Sequence, residues 1–123
     1  STGAALDELL SSAEGIGVRF RLEGELPKDS ANAYLLITAM RECTTNVVRH
    51  AGGSEMTVRI QSDERCVTAH ITNNGAPPAG DITEGGGLSG LRRRGESAGG
   101  TMRLDSRPSF ALTITLPREE NSK

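Results

Sequence analysis

Apolar residues at Ala5, Leu6, Leu9, Leu10 and Ala13 recur at helical spacing, and after Gly15 and Gly17 the period drops to two at Val18, Phe20 and Leu22. This pattern predicts a helix followed by a strand. The next segment, from Leu26 to Gly53, returns to the helical period, with Leu36, Ile37, Met40, Cys43, Val47 and Val48 on one face. Asp29 or Ser30 is placed to cap its start, and Gly52-Gly53 to end it. Two alternating runs follow, Met56, Val58, Ile60 and then Val67, Ala69, Ile71, separated by a polar Asp63-Glu64-Arg65 turn, which is the pattern of a β-hairpin.

From Asn73 to Gly90 the chain is rich in glycine and proline and follows neither period. A loop of that length in a compact domain is commonly functional or disordered. A short helix is expected from about Leu88 to Ala98, closed by Gly99-Gly100. A strand is then expected to begin at Met102 and Leu104, and a last one to carry Phe110, Leu112, Ile114 and Leu116 before Pro117. The order α-β-α-β-β-loop-α-β-β, with two hairpins, predicts an α+β fold. It is a two-layer α/β sandwich with a mixed, mostly antiparallel sheet covered on one face by helices. Residues 1–123 are expected to form a single domain, with Ser1 to Gly3 and Glu119 to Lys123 as fraying tails.

Composition narrows the chemistry. The 123 residues contain only three aromatic rings, Phe20, Tyr34 and Phe110, so the core must be built from aliphatic side chains and methionine. A net charge of −2 supplies no long-range attraction for nucleic acid or an anionic membrane, so any anion must be held by local groups. The absence of a long apolar run or a signal-peptide pattern points to a soluble cytoplasmic chain without direct membrane contact. Cys43 and Cys66 follow no metal or redox spacing and are expected to be small buried thiols.

The stretch "ITNNGAPP", Ile71 to Pro78, poses the first chemical question. Period two puts Asn73 in phase with Val67, Ala69 and Ile71, so its amide points toward the helix layer. Such a group either bonds its own turn or meets something else, because a buried amide without partners costs about 1–3 kcal/mol. On the long helix Glu42, Asn46, Arg49 and His50 fall at i, i+4, i+7 and i+8, one stripe at helical spacing. That stripe is either an ordinary polar face or a set of donors and acceptors for a cation and phosphates. The turn "EGGGLSG", Glu84 to Gly90, is either a flexible linker or a place where backbone N–H groups and a helix N-terminus approach an anion. Arg92 to Arg94 form a solvated face, touch phosphates or dock another segment. His70 is out of phase with the inward positions and is expected to face away from this region.

In this order, "RECTTNVVRHA", "ITNNGAPP" and "GGGLSGLRRRGESAGG" resemble the N, G1 and G2 boxes of the ATP-binding catalytic domain of sensor histidine kinases. These belong with the gyrase and MutL ATPases to the Bergerat fold. The resemblance spans nearly the whole chain and is strongest to the branch that pairs with helix-turn-helix response regulators.

The resemblance implies that the chain binds ATP and Mg²⁺. Asn46 would be a metal ligand beside the phosphates, and Arg49 and His50 would be phosphate donors. Glu42 would sit next to the γ-phosphate, polarising a nucleophile or holding the metal's water. Gly75, Gly85, Gly87, Leu88 and Gly90 would form hinge and cradle, with Ala76 to Glu84 as the lid. Asn73 would face the adenine amino group. Most of the family has aspartate at that position, and glycine-threonine where this chain has Ser109-Phe110. Neither His50 nor His70 has the context of a phosphoacceptor histidine. The resemblance therefore implies a fragment of a longer kinase, whose partners are its own dimerisation and phosphoacceptor domain and a response regulator. Related expectations are a serine kinase like the anti-sigma-factor kinases, and a degenerate domain that binds protein and no nucleotide.

Overall fold

The computed structural model describes residues 1–51, 54–75 and 84–118, and of His50 and Ala51 the backbone alone. The element order is α1 (Thr2–Gly15), β1 (Arg19–Glu23), α2 (Ser30–Asn46), a π-helical turn (Val47–Ala51), β2 (Glu55–Ser62), β3 (Cys66–Asn73), α3 (Gly86–Ser97), β4 (Thr101–Asp105) and β5 (Ala111–Pro117). The five strands lie in the order β1-β2-β3-β5-β4. Only β1 and β2 are parallel, as a helical crossover through α2 permits; the other three pairings are antiparallel. The two hairpins, β2-β3 and β4-β5, are those that the alternating runs predict, and the fold class is the expected one.

Alternation works here because one face of the sheet is buried. Met56, Val58 and Ile60 of β2, Val67, Ala69 and Ile71 of β3, and Leu112, Ile114 and Leu116 of β5 all point into the core. Leu9 and Ala13 of α1, Leu36, Ile37, Met40 and Cys43 of α2, and Leu88 and Leu91 of α3 close it from the other side. Each fully buried aliphatic side chain contributes about 1.5–3 kcal/mol, so the driving force is spread over all three helices. The opposite face is polar: Thr68 and Thr115 share a hydrogen bond of 3.2 Å, and His70 Nδ1 lies 2.8 Å from Thr113 Oγ1. His70 thus faces away from the helix layer, as its phase predicts.

Local chemistry sets the element ends. Asp29 is the cap of α2, its Oδ1 accepting from the Ala31 N–H at 3.1 Å. Asp63 closes the β2-β3 turn by accepting from the N–H groups of Arg65 and Cys66 at 2.7 and 2.8 Å. Gly24 has a φ of +93°, and a Cβ there would collide with the Ile60 carbonyl, so only glycine fits.

Several expectations are corrected. The segment Ser1 to Gly3, expected as a tail, is the start of a helix: Thr2 and Gly3 belong to α1, and Ser1 Oγ caps it by accepting from the Ala4 N–H at 3.2 Å. Val48 is half exposed although Val47 is buried, because α-helical geometry ends at Asn46 and the wider π turn rotates the following residues off the α-helical phase. Cys66 is half-buried at the start of β3, while Cys43 is fully buried. Helix α3 starts at Gly86, two residues before the expected point, so the second and third glycines of the turn are its first residues. The expected glycine stop of α2, the tail after Arg118 and the lid up to Thr83 lie outside the described residues.

Candidate functional site

The C-terminal part of α2 is met by two other segments: the start of α3, where Gly87 lies against Glu42, and the strand layer near the end of β3, where Met56, paired with Asn73, reaches Thr44. Asn73 is the final residue of β3 and pairs directly with Met56 of β2, so the two side chains share the helix-facing side. The Met56 sulfur in turn lies 3.9 Å from the hydroxyl of Thr44 on α2. Asn73 is 9% exposed, and its Nδ2 is a buried polar atom without a partner among the described residues. The expectation of an inward amide therefore holds, and the turn does not satisfy it.

The neighbouring amide does the turn's work. Asn74 Oδ1 accepts from the backbone N–H groups of Ser54 and Glu55 at 3.1 and 3.0 Å, and its own N–H donates to the Glu55 carbonyl. The two asparagines divide two tasks: Asn74 staples the strand ends and Asn73 is left facing inward. Sequence reasoning passes over Asn74, although an asparagine directly after a strand is a known turn former.

Glu42 and Asn46 are both half-buried, four residues apart, and Asn46 ends the α-helical part of α2. Arg49 is exposed on the π turn; the position of the His50 side chain lies outside the described residues. The expected single stripe therefore holds for Glu42 and Asn46 only, because Arg49 follows a change of helix type that breaks the α-helical count, a feature that recurs at functional sites. Three threonines of α2 back-bond to carbonyls four residues earlier, and two of them, Thr44 and Thr45, lie immediately before the π turn.

Helix α3 brings its first turn against Glu42. A Cβ built on Gly87 would fall within the Glu42 carboxylate, 2.6 Å from its Cδ, so the glycine backbone lies directly on that group. Gly85 and Gly90 have room for a side chain, and Gly75, just past Asn73, is half-buried. Gly85 is the N-cap and offers no side chain, so among the described residues no side chain caps the first N–H groups of α3. Leu88 is buried and anchors the turn to the core.

A second anchor was not anticipated. Arg92 donates to both carboxylate oxygens of Glu84 at 2.6–3.1 Å and to the Met102 carbonyl at 2.6 Å, tying the residue before the glycine turn to α3 and β4. The guanidinium holds the Glu84 carboxyl below the usual range, and Glu84 raises Arg92 in return. Of the arginine run, Arg92 is therefore structural, and Arg93 and Arg94 are exposed.

This arrangement suits an anionic ligand with a polar planar end. Helix N–H donors and glycine backbone can approach phosphates, and a buried amide with an open valence can read a ring edge. Among the described residues no three His, Cys, Asp or Glu side chains cluster closely enough to hold a metal ion. A divalent cation here would draw its oxygens from an amide, water and the ligand itself, a donor set that suits Mg²⁺. No helix among the described residues is long and apolar enough to cross a membrane.

Comparison with known proteins gives the context. No family model matches the chain. It is 34% identical over 90 residues to the sensor histidine kinase YxjM of Bacillus subtilis, covering 73% of this chain and 21% of that protein. It is 27% identical over 109 residues to the signal transduction histidine-protein kinase/phosphatase UhpB of Salmonella typhimurium, covering 85% of this chain and 22% of the other. Among solved structures the ATP-binding domain of PrrB from Mycobacterium tuberculosis superposes with a TM-score of 0.68 at 21% identity, over 95% of this chain and 93% of that one. The chain spans about a fifth to a quarter of the length of the curated relatives it matches.

Proposed function

We infer that this chain, whose homologues are sensor histidine kinases and whose fold is that of their ATP-binding domain, binds Mg-ATP as a cytoplasmic domain of a longer kinase. In that protein it supplies the γ-phosphate to a histidine on a separate dimerisation domain, and a response regulator, of the helix-turn-helix output class, receives the phosphate next. The observation that carries this reading is the buried Nδ2 of Asn73, without a partner among the described residues, at the end of β3 on the helix-facing side, the side on which Gly87 presses on Glu42.

Each residue has a task consistent with its position. Asn73 offers an amide to the base edge, and Gly75 lets the chain leave the strand beside it. Gly85, Gly87 and Leu88 offer backbone N–H groups at the start of α3 to the phosphates, and Gly90 keeps the next turn free of a side chain, with the partial positive end of α3 behind them. Asn46 contributes an amide oxygen to Mg²⁺, whose chemistry when bound is to neutralise charge on the phosphate oxygens. Arg49 and His50, in the π turn, would supply further donors to the phosphates. Glu42, held between α2 and the first turn of α3, acts on the attacking imidazole or on a metal-bound water. Phosphoryl transfer needs mainly positioning and charge neutralisation, which a rigid strand end and a helix N-terminus supply.

Calorimetric titration with a non-hydrolysable ATP analogue tests this reading. Binding should require Mg²⁺ and weaken about ten-fold or more in Asn46→Ala, the loss expected for one ligand to a charged group. No heat and no thermal shift at millimolar analogue would refute it and leave a protein-interaction module.

A further inference from the structure

Asn73 stands in an unusual setting for a polar group. Across the ladder on one side is Met56. On the other side, the β3-β5 register ends at Thr72 opposite Ala111, which brings Phe110, 4% exposed and in phase with the buried Leu112, to the next position. Neither neighbour can donate to or strongly accept from an amide. The group that would read a base is therefore neutral, has apolar residues at the neighbouring ladder positions, and keeps an open hydrogen-bonding valence among the described residues.

An amide differs from a carboxylate in one decisive respect. An ionised carboxylate only accepts, whereas an amide carries an acceptor oxygen and a donor nitrogen, and a half-turn about χ2 exchanges them with little change of shape. Adenine presents an N6 amino donor next to an N1 acceptor. Guanine presents the inverse, an O6 acceptor next to an N1–H donor. Opposite the C6 substituent a carboxylate accepts from the adenine amino group and faces the lone pairs of guanine O6, whereas the Asn73 amide can accept from the one or donate to the other.

Resting on the nucleotide-binding reading above, we propose that Asn73, set between Met56 and Phe110, is a specificity-determining residue that makes this site purine-tolerant, binding Mg-GTP as well as Mg-ATP. The discrimination that hydrogen-bonding sites achieve comes from leaving a buried group unpaired in the wrong complex, and neither purine leaves Asn73 unpaired.

The test is calorimetry of the chain with the non-hydrolysable β,γ-imido analogues of ATP and GTP in Mg²⁺, for the native protein, Asn73→Asp and Asn73→Ala. The native dissociation constants should agree within about ten-fold. Asn73→Asp should widen the preference for the ATP analogue to about 100-fold, since one purine gains a charge-assisted bond and the other faces a carboxylate. Asn73→Ala, which adds no buried charge, should weaken both analogues by the same factor. A native preference for the ATP analogue of about 100-fold or more, or an Asn73→Ala loss confined to one purine, overturns the proposal while leaving ATP binding intact. Failure of both analogues to bind overturns the proposal together with the reading beneath it.

Discussion

Gly86 and Gly87 are adjacent, both in the first turn of α3, and differ sharply in what surrounds them. A Cβ on Gly86 meets nothing within 4 Å, whereas one on Gly87 would stand 2.6 Å from Cδ of Glu42 and closer to its Oε1. In Gly87→Ala the carboxylate must withdraw by roughly 1 Å or more to regain van der Waals distance, leaving its rotamer well at a cost of about 0.5–1.5 kcal/mol. The helix gains up to about 1 kcal/mol from alanine in place of glycine, so the two nearly cancel in stability. Urea unfolding of Gly87→Ala should therefore shift by less than about 1 kcal/mol, and Gly86→Ala should be neutral or stabilised by a few tenths to about 1 kcal/mol.

Function should separate them. Displacing Glu42 and filling the close approach at Gly87 removes one charged contact, worth about 1.5–3 kcal/mol, so Mg-nucleotide affinity should fall about 10- to 100-fold. Gly86→Ala should retain affinity within about three-fold, a few tenths of a kcal/mol. Combining Gly87→Ala with Glu42→Asp, which shortens the obstructing side chain, should recover part of the loss, a coupling that a double-mutant cycle reads directly. Equal losses at both glycines, or native affinity in Gly87→Ala, would refute the idea that the Glu42 contact defines the cradle.

Two further outcomes follow from titrating groups. Glu84 has its carboxyl held low by Arg92, so the ion pair's contribution is fully present above the unfolded pKa of about 4.3 and disappears as pH falls through the lower folded value. Asp63, held low mainly by the N–H groups of Cys66 and Arg65, titrates in the same direction. The acid-side loss specific to α3 is accordingly the difference between native protein and Glu84→Gln. About 1 kcal/mol or less is expected for a pair that keeps over a quarter of each side chain in solvent. Amide exchange in α3 should accelerate below that pH in the native protein, and an acid profile unchanged by the substitution would sink the assignment. For the thiols, burial first and the Glu42 charge second push Cys43 far up, while Cys66 is half-buried. A thiol reagent at pH 8 should label Cys66 in the folded protein and reach Cys43 only in urea; rapid labelling of both would show that α2 opens readily.

What was legible in the sequence follows from which forces leave a pattern. Strands β2, β3 and β5 could be read because a sheet with one buried face imposes alternation, and Asn73 stood out because it broke the apolar run without breaking its phase. The long α2 was equally plain from Met40, Cys43 and Val47, but its change to a π turn was not. Inserting a wider turn needs no special residue, so Val48 was placed inward by an α-helical count that no longer applied. The start of α3 was set two residues late because glycine carries no helix propensity to mark it. Long-range pairings leave no periodic trace: neither Arg92 on Glu84 nor the Asn74 staple across to Ser54 could be spaced out along the chain.

The site joins two kinds of support whose difference has a physical reason. In the proposed reading the end that meets the base is a strand end, fixed by the ladder to β2 and by the Asn74 staple, and it holds a buried amide at a desolvation cost of about 1–3 kcal/mol in the free protein. That cost is tolerable only where the surrounding ladder over-determines the strand, which is why the unpartnered group sits in β3, paired on both sides, and not on an edge. The phosphate-facing end is the reverse, a glycine-rich helix start with little intrinsic stability, anchored by Leu88 and by the Glu84–Arg92 pair at its flank. A ligand bridging the two, as proposed, would satisfy the amide at one end and the uncapped N–H groups of α3 at the other. Each contact offsets a deficit already present in the fold, and the same deficits make the site recognisable without its ligand.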